Sequence, residues 1–233
     1  MKALCIIPAH NEEESLEKTV DDLRTVNPDV DFLVVNDGST DATGEICRRN
    51  SYPFLDLPIN LGLSGAFQAG MRYAYRYGYD CAVQFDADGQ HCAEYVAALV
   101  EEAKAGDIVI GSRFVTEKRP VSLRMLGSVM IEKAIRITTG SVIKDPTSGM
   151  RAFNKRMIVL FAKELNFGPE PDTVSYLIKH AHAKVSEVPV KMRERSAGES
   201  YFNFKSSMLY MLRMTTSILL IQLFRKDLKG DLA

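Results

Sequence analysis

Short apolar runs alternate with stretches of helical periodicity along the first half of the chain. Apolar runs of strand length lie at residues 4–7, 32–35, 54–55, 81–85 and 107–111. Between them, buried-type positions recur at helical spacing, and helices are predicted around Leu16, Thr19, Val20 and Leu23 and near 41–49, 63–77 and 95–104. Strands separated by helices of this length indicate an α/β fold with a mainly parallel, doubly wound sheet.

Polar residues follow the predicted strands, at the sheet edge where doubly wound folds bind ligands. The four segments that follow strands are Pro8–Glu12, Asn36–Asp41, Leu57–Gly62 and Asp86–His91. The first segment lacks the GxGxxG pattern of dinucleotide-binding folds, and the chain has no Walker A sequence, which argues against both classes. Residues 62–65, Gly-Leu-Ser-Gly, fit either a phosphate-cradling turn or the start of a helix.

Composition indicates a folded protein, and charge divides it into two halves. Of the 233 residues, 46% are hydrophobic and 25% are charged, which excludes wholesale disorder. The net charge of −1 conceals a net of −11 over residues 1–110 and of +10 over residues 111–233. This polarity suggests two kinds of partner. Nucleic acid is not expected to be one of them, because the first half is acidic and no aromatic-basic interleaving is present.

The four cysteines and the N-terminus indicate a cytosolic protein. Cys5, Cys47, Cys81 and Cys92 form no CxxC pair, so we expect reduced structural thiols. The apolar run near the N-terminus is too short for a signal peptide or a spanning helix.

Two aspartates directly after a buried strand predict a metal site. Asp86 and Asp88 flank one residue, and alternate side chains of an extended segment share a face. Two hard oxygen ligands suit Mg²⁺ or Mn²⁺, which take the rest of their shell from water and from phosphate oxygens. Gln90 is positioned to add a carbonyl oxygen.

Seven segments, in order, give the chain its resemblance to family 2 glycosyltransferases of the GT-A nucleotide-sugar-binding fold. They are IIPAHNEE (6–13), VVNDGSTDAT (34–43), LPINLGLSGAFQAG (57–70), QFDADGQH (84–91), GSRF (111–114), DPTSGMRAF (145–153) and EVPVKMRERSAGES (187–200). Within that family the chain most resembles polyprenyl-phosphate glycosyltransferases, such as dolichol-phosphate mannose synthases and bacterial undecaprenyl-phosphate sugar transferases. The likeness covers about residues 3–200. We therefore expect a catalytic domain at 1–204.

The resemblance implies a role for each matching residue on the donor side. The metal ligands would be Asp86, Asp88 and Gln90. The nucleotide sugar, with UDP favoured over GDP, would contact Pro8, Ala9, Asn11, Glu12, Asp37, Gly65, Asp86, Ala87 and Asp88. Glu12 is suited to accept from ribose hydroxyls and Asp37 from a base N–H.

On the acceptor side, the likeness places the lipid phosphate against Arg113, Arg124 and Ser128. Asp88, Asp145 and Arg195 are the candidate catalytic residues, with Arg195 assisting the departing diphosphate. Glu170 and Asp172 lie where many relatives have an acidic catalytic residue, but their PEPD context departs from the usual pattern. For these two carboxylates, helix capping and a role as base both remain open.

The last stretch, 205–233, predicts an amphipathic helix that lies on a membrane surface or packs on a partner. Leu209, Leu212, Thr216, Leu219 and Leu223 form its apolar side, and Ser206, Tyr210, Arg213 and Ser217 its polar side. A core helix is the alternative. The basic segment 111–136 and this tail should lie on the same side of the molecule if both face lipid phosphates.

The expected activity is inverting transfer of a hexosyl or N-acetylhexosaminyl group from a nucleotide sugar to undecaprenyl phosphate, for cell-envelope polysaccharide assembly. The expected location is the cytoplasm, peripherally on the inner face of the plasma membrane, with a small membrane protein or a second copy as further partner. Two alternatives stay open: transfer to a saccharide hydroxyl, and a non-catalytic nucleotide-sugar-binding subunit of a membrane complex.

Overall fold

A seven-stranded mixed sheet forms the centre of the molecule, with helices on both faces. The computed structural model describes residues 1–117, 119–120, 123–164, 167–193 and 204–224, without the side chains of 123–124, 204–207 and 221–224. The strands are β1 (Ala3–Ala9), β2 (Asp31–Asp37), β3 (Phe54–Leu57), β4 (Cys81–Gln84), β5 (Ile108–Ser112), β6 (Arg151–Asn154) and β7 (Val185–Pro189). The helices are α1 (Leu16–Val26), α2 (Thr43–Arg49), α3 (Gly62–Arg76), α4 (Val96–Glu102), α5 (Leu123–Thr139), α6 (Lys155–Lys163), α7 (Pro171–His180) and α8 (Phe204–Phe224).

The hydrophobic pattern explains the first half of this architecture. In α1 the buried residues are Leu16, Thr19, Val20 and Leu23, the positions predicted from helical spacing. The central strands β1 and β4 are buried on both faces, as their continuous apolar runs require. Their two faces belong to separate hydrophobic clusters, one containing Ile6 and Phe67 and the other Ile7 and Val83. The four cysteines are buried free thiols, as predicted.

The order of the strands indicates that ligands bind at the edge of the sheet formed by the carboxyl ends of β1 and β4. The order is β3-β2-β1-β4-β6-β5-β7, with β1 to β4 parallel to one another and β6 antiparallel to both β4 and β5. The strand order reverses between β1 and β4, where doubly wound sheets bind ligands at the carboxyl ends of their strands. The carboxyl ends of β4 and β5 also point the same way. The start of the antiparallel strand β6 therefore arrives at this same edge.

Helix α8 packs beside α5 and α7. Since α5 contains much of the basic segment 111–136, that segment and the tail lie on the same side of the molecule, as predicted. Met211, Met214 and Ile218 of α8 enter the hydrophobic core. Gly127 of α5 makes room for this contact, because a Cβ there would lie 2.5 Å from Cγ of Met211. Among the described residues, no helix combines the length and apolar character needed to cross a membrane.

Candidate active site

Asp86, just past the end of β4, is held by groups on both of its carboxylate oxygens. The amide of Gln84 donates to Oδ1 at 3.0 Å, and Nε2 of His91 lies 3.4 Å from Oδ2. Gly149 forms the opposite wall, where a Cβ would lie only 2.8 Å from Oδ2. The side chain stays one-third exposed. Its orientation is therefore set by neighbours while one side remains open to a ligand.

The hydrogen bonds of His91 define its tautomer. The backbone N–H of Asp86 donates to Nδ1 of His91 at 2.9 Å, so Nδ1 is an acceptor and carries no proton. The ring proton is then on Nε2, the nitrogen that faces the Asp86 carboxylate. His91 is buried, and it thus supports Asp86 as a neutral imidazole.

Asp88 and Gln90 lie on the turn that follows. The N–H of Gln90 donates to Oδ1 of Asp88 at 3.0 Å, and Gly89 between them has φ +76°, a conformation that favours glycine. The backbone carbonyl of Gln90 accepts from the backbone N–H of Arg193. His91 and Met192 form an isolated antiparallel β-bridge. The segment after β7 is thereby fixed beside the turn. Arg195 itself lies outside the described residues.

The donor set fits a divalent cation that is shared with a diphosphate. Within the described parts of the chain, no group of three or more His, Cys, Asp or Glu side chains converges on one point. Two aspartates and one amide leave coordination positions for water and phosphate oxygens, which is how proteins usually bind Mg²⁺.

The loops after β1 and β2 interlock to form the neighbouring part of the edge. The backbone N–H of Asn11, a residue with φ +55°, donates to Oγ of Ser39, and Oδ1 of Asn11 accepts from the N–H of Thr40. Glu12 accepts from the hydroxyl of Ser15 at 2.6 Å, and its N–H donates to Thr43. These contacts hold two of the predicted nucleotide-binding residues, Asn11 and Glu12, in one pair of interlocked loops.

The remaining predicted donor residues also lie at this edge, several of them buried. Pro8 and Ala9 are the last residues of β1, and the carbonyl of buried Ala87 accepts from Thr19. Asp37 ends β2, and its Oδ1 accepts from the N–H of Leu61 at 2.7 Å.

Gly65 lies in the first turn of α3, so residues 62–65 begin a helix. A Cβ at Gly65 would lie 2.5 Å from that of Leu61, which gives this glycine a packing role.

Arg113, directly after β5, is anchored by a buried carboxylate. Its Nε and one terminal nitrogen donate to the two oxygens of Asp145 at 2.7 and 2.8 Å, and its backbone N–H also donates to Asp145. Asp145 is fully buried, whereas the Arg113 side chain is 27% exposed. Glu187 of β7 in turn accepts from the backbone N–H groups of Lys144 and Asp145. The result is a guanidinium held rigidly at the carboxyl end of β5.

Ser128 is the third predicted acceptor residue, and it is fully buried in α5. Its hydroxyl has no hydrogen-bond partner among the described groups. The backbone of Arg124 belongs to α5, but its side chain lies outside the described part of the structure.

Three carboxylates could serve as a general base for a hydroxyl acceptor, and they occupy different environments: Asp145, Glu170 and Asp172. Both oxygens of Asp145 are engaged by Arg113, and no face of this residue is exposed. Asp172 accepts from the N–H of Thr173 and from the hydroxyl of Ser217 in α8. Glu170 makes no capping hydrogen bond to α7 and accepts instead from the hydroxyl of Ser64 at 2.6 Å. Of these three carboxylates, only Glu170 contacts the first turn of α3.

Arg151 is a central residue that the sequence analysis did not single out. It is fully buried at the start of β6, and its three nitrogens donate to the carbonyls of Ser148, Pro169 and Pro146. Burial lowers the pKa of its guanidinium. The groups that act in the opposite direction are Tyr210, Glu170, Asp145 and Asp86. The turn 145–149 and the turn before α7 are thus tied to one buried cation. An arginine inside an otherwise apolar run was the available signal.

Comparisons with known proteins identify the family of the chain. Residues 4–160 match the family described as Glycosyl transferase family 2. An undecaprenyl-phosphate mannosyltransferase of Micrococcus luteus is 37% identical over 216 residues, covering 86% of this chain and 87% of that protein. A polyprenol monophosphomannose synthase of Mycolicibacterium smegmatis is 30% identical over 213 residues, covering 85% of this chain and 80% of that protein.

A solved structure supports the fold. Glucosyl-3-phosphoglycerate synthase of Mycobacterium tuberculosis, in complex with Mn²⁺, UDP-glucose and phosphoglyceric acid, has a TM-score of 0.68 at 18% identity, over 97% of this chain and 81% of that one. The expected GT-A architecture is confirmed. Since the family match spans most of the chain and a relative above 30% identity covers nearly all of it, this chain belongs to glycosyl transferase family 2.

Proposed function

We propose that the protein is an inverting, metal-dependent glycosyltransferase that moves a sugar from a nucleoside diphosphate to a polyprenyl phosphate. One observation carries the proposal: Asp86, Asp88 and an anchored Arg113 stand at the same edge of the sheet, at the carboxyl ends of β4 and β5. Carboxylates suit a cation that holds the donor diphosphate, and a guanidinium suits the acceptor phosphate. Family membership and relatives named for polyprenyl-phosphate substrates support this assignment.

On the donor side, Asp86, Asp88 and Gln90 are the residues that would hold Mg²⁺ or Mn²⁺. When bound, such an ion supplies positive charge that stabilises the departing diphosphate. Gln84 and His91 keep the Asp86 carboxylate in one orientation without neutralising it. We assign nucleotide contacts to the Asn11, Glu12 and Asp37 loops and further charge stabilisation to Arg195.

On the acceptor side, the geometry of Arg113 leaves part of its fork available. Asp145 engages Nε and one N–H of a terminal nitrogen, and a guanidinium has five N–H donors. The remaining N–H donors are not engaged by Asp145, and the side chain is 27% exposed, so we assign these donors to the acceptor phosphate. We assign Arg124 and Ser128 to the same phosphate. Arg113 would thereby align the acceptor oxygen for in-line attack on the anomeric carbon.

A phosphate acceptor also agrees with the environments of the candidate bases. A phosphate is already anionic at neutral pH, so it needs no strong general base, whereas a hydroxyl acceptor does. Asp145 and Asp172 have both oxygens engaged by donors, which leaves them poorly suited to remove a proton. Asp145 is better assigned as the positioning residue for Arg113. Glu170 is the carboxylate that a hydroxyl-acceptor mechanism would have to use.

Helices α5 and α8 offer a surface suited to a bilayer. The exposed residues of α8 include Leu209, Leu212 and Leu219, the predicted apolar side, and α5 adds exposed Leu126, Met130 and Ile137. Exposed Arg136 and Arg213 flank these residues. Apolar side chains combined with basic groups bind anionic membrane surfaces. We propose that this surface brings the acceptor site to its lipid.

The decisive experiment is direct transfer. The purified protein is incubated with Mn²⁺ or Mg²⁺, undecaprenyl phosphate and radiolabelled nucleotide sugars, starting with mannose and including both UDP- and GDP-linked donors, and lipid is extracted. We expect label in the lipid fraction that is lost with EDTA. Label recovered only in a saccharide or protein acceptor would favour the hydroxyl alternative. Donor binding without transfer to any acceptor would favour the non-catalytic alternative.

Membrane association has its own test. Leu212→Asp should reduce co-sedimentation with vesicles that contain anionic lipid, while Tyr77→Asp, an exposed aromatic near the opposite edge of the sheet, should not. Equal loss for both variants would contradict the assigned surface.

A further inference from the structure

A second arginine lies beside Arg113 on the same aromatic ring. The guanidinium carbon of Arg113 is 5.1 Å from the centroid of Phe114, and that of Arg119 is 5.2 Å from it. Arg119 is not one of the residues assigned above to the acceptor phosphate. Both cations therefore interact with the Phe114 ring, which is their common support.

The two guanidiniums are also fixed to consecutive residues of one loop. Arg113 pairs with the side chain of Asp145, and Arg119 donates to the carbonyl of Lys144. Glu187 holds the backbone N–H groups of both loop residues. Rigid support on both sides is what a site for a tetrahedral anion needs, because the donors must be in place before the anion arrives.

Arg119 is restrained by a carboxylate of α5. Its Nη1 lies 2.6 Å from Oε2 of Glu132, and both side chains remain about one-fifth exposed, at 20% and 22%. Glu132 is one helical turn beyond Ser128, whose hydroxyl is buried without a partner among the described groups. A phosphate that enters here would compete with Glu132 for Arg119.

We propose that Arg119 is a further guanidinium of the acceptor-phosphate site, in addition to Arg113 and Arg124, and that Glu132 weakens acceptor binding by competing for it. The ligand chemistry is a phosphate monoester, and the favoured source is the head group of the polyprenyl phosphate. This inference rests on the proposed function. The simpler explanation is that the Arg119–Glu132 ion pair has only a structural role and links α5 to the loop at 144–145. The two explanations predict opposite effects of removing the Glu132 charge.

Direct binding in the absence of metal and nucleotide sugar separates them. Farnesyl phosphate, farnesol and inorganic phosphate are each titrated by calorimetry into the wild-type protein and into three variants, Arg119→Ala, Glu132→Gln and Arg76→Ala. Arg76 is an exposed arginine in the last turn of α3 and serves as the matched control. Circular dichroism and thermal unfolding check that each variant is folded, and Arg119→Lys provides a milder second substitution.

We expect Arg119→Ala to weaken farnesyl phosphate binding about tenfold or more, because a charge-assisted hydrogen bond is lost. Glu132→Gln should tighten it about threefold, the size of a partly exposed ion pair. Arg76→Ala should leave the affinity for farnesyl phosphate unchanged, and farnesol, which lacks the phosphate, should show no measurable binding.

The contrary results are distinct from one another. If the wild-type protein binds farnesyl phosphate and Arg119→Ala binds it equally well, or if Glu132→Gln weakens binding, this inference fails and the proposed function stands. If the wild-type protein does not bind farnesyl phosphate, the proposed acceptor fails and the inference fails with it. Equal affinity for inorganic phosphate and farnesyl phosphate would overturn the assignment to a lipid head group.

Discussion

Gly149 is a position at which the proposed metal site can be disturbed without changing its charge or any of its proposed ligands. Its backbone is outside the left-handed region, so an alanine there meets no conformational penalty of its own. The added Cβ would, however, lie 2.8 Å from Oδ2 of Asp86 and 3.3 Å from Nε2 of His91. Gly149→Ala should therefore push the Asp86 carboxylate while leaving the sheet intact.

The size of the effect follows from the distances. An ordinary contact of a Cβ is at least 3.4 Å, so the carboxylate oxygen must move by roughly half an ångström, against the hydrogen bond from Gln84. Displacements approaching 1 Å at a reacting centre cost about 100-fold in rate. We expect Gly149→Ala to weaken Mn²⁺ binding and to lower kcat by a factor of about 10 to 100.

The assay measures Mn²⁺ affinity by electron paramagnetic resonance and turnover by lipid extraction. Gly106→Ala is the matched control, since its Cβ would meet its nearest neighbour, Oγ of Ser186, at an ordinary 3.4 Å and it too is outside the left-handed region. Unfolding in urea should show similar stability for both variants. Unchanged Mn²⁺ affinity and turnover in folded Gly149→Ala would refute Asp86 as a metal ligand or the rigidity of the 145–149 turn.

Three further substitutions test other parts of the site. Asp88→Asn should abolish metal-dependent transfer while leaving the circular dichroism spectrum unchanged; normal activity would remove Asp88 from the metal site. Asp145→Asn should lower the free energy of unfolding by about 3 kcal/mol, measured by urea denaturation, because the buried ion pair with Arg113 is broken. It should also raise the KM for the lipid acceptor more than the KM for the donor, which steady-state kinetics can check. Glu170→Gln can still accept from the hydroxyl of Ser64, so kcat should fall less than tenfold with no shift in its pH profile, whereas a loss of 100-fold or more would indicate a general base and a hydroxyl acceptor.

The donor half of the fold could be predicted from sequence because β1, β2 and β4 contain apolar runs and helices such as α1 are amphipathic. The acceptor half was harder. Strand β6 contains Arg151 at a fully buried position and runs antiparallel, and neither feature follows from hydrophobic periodicity. Strand β7 is half-exposed and contains Ser186 and Glu187, so it has no strong strand pattern.

The tail shows why a face is harder to predict than an element. The helix was expected, and its apolar side, including Leu212, is exposed on the protein as a membrane- or partner-binding face requires. Part of the polar side faces inward, because Ser217 donates to Asp172 and Tyr210 packs against the hydrophobic core. Such pairings depend on residues distant in sequence, which no local pattern reveals.

The antiparallel insertion of β6 has a consequence for the order in which the protein folds. Asp86, the proposed metal ligand, is synthesised early, but its neighbour Gly149 and Met192, the bridge partner of His91, come from much later parts of the chain. Contacts of such high sequence separation form slowly, since a long loop must close before they can contribute. A nascent chain that ends after β5 would thus have the nucleotide-side strands without a finished metal pocket. Competence to bind metal should appear late on the ribosome, after the acceptor half has joined the sheet.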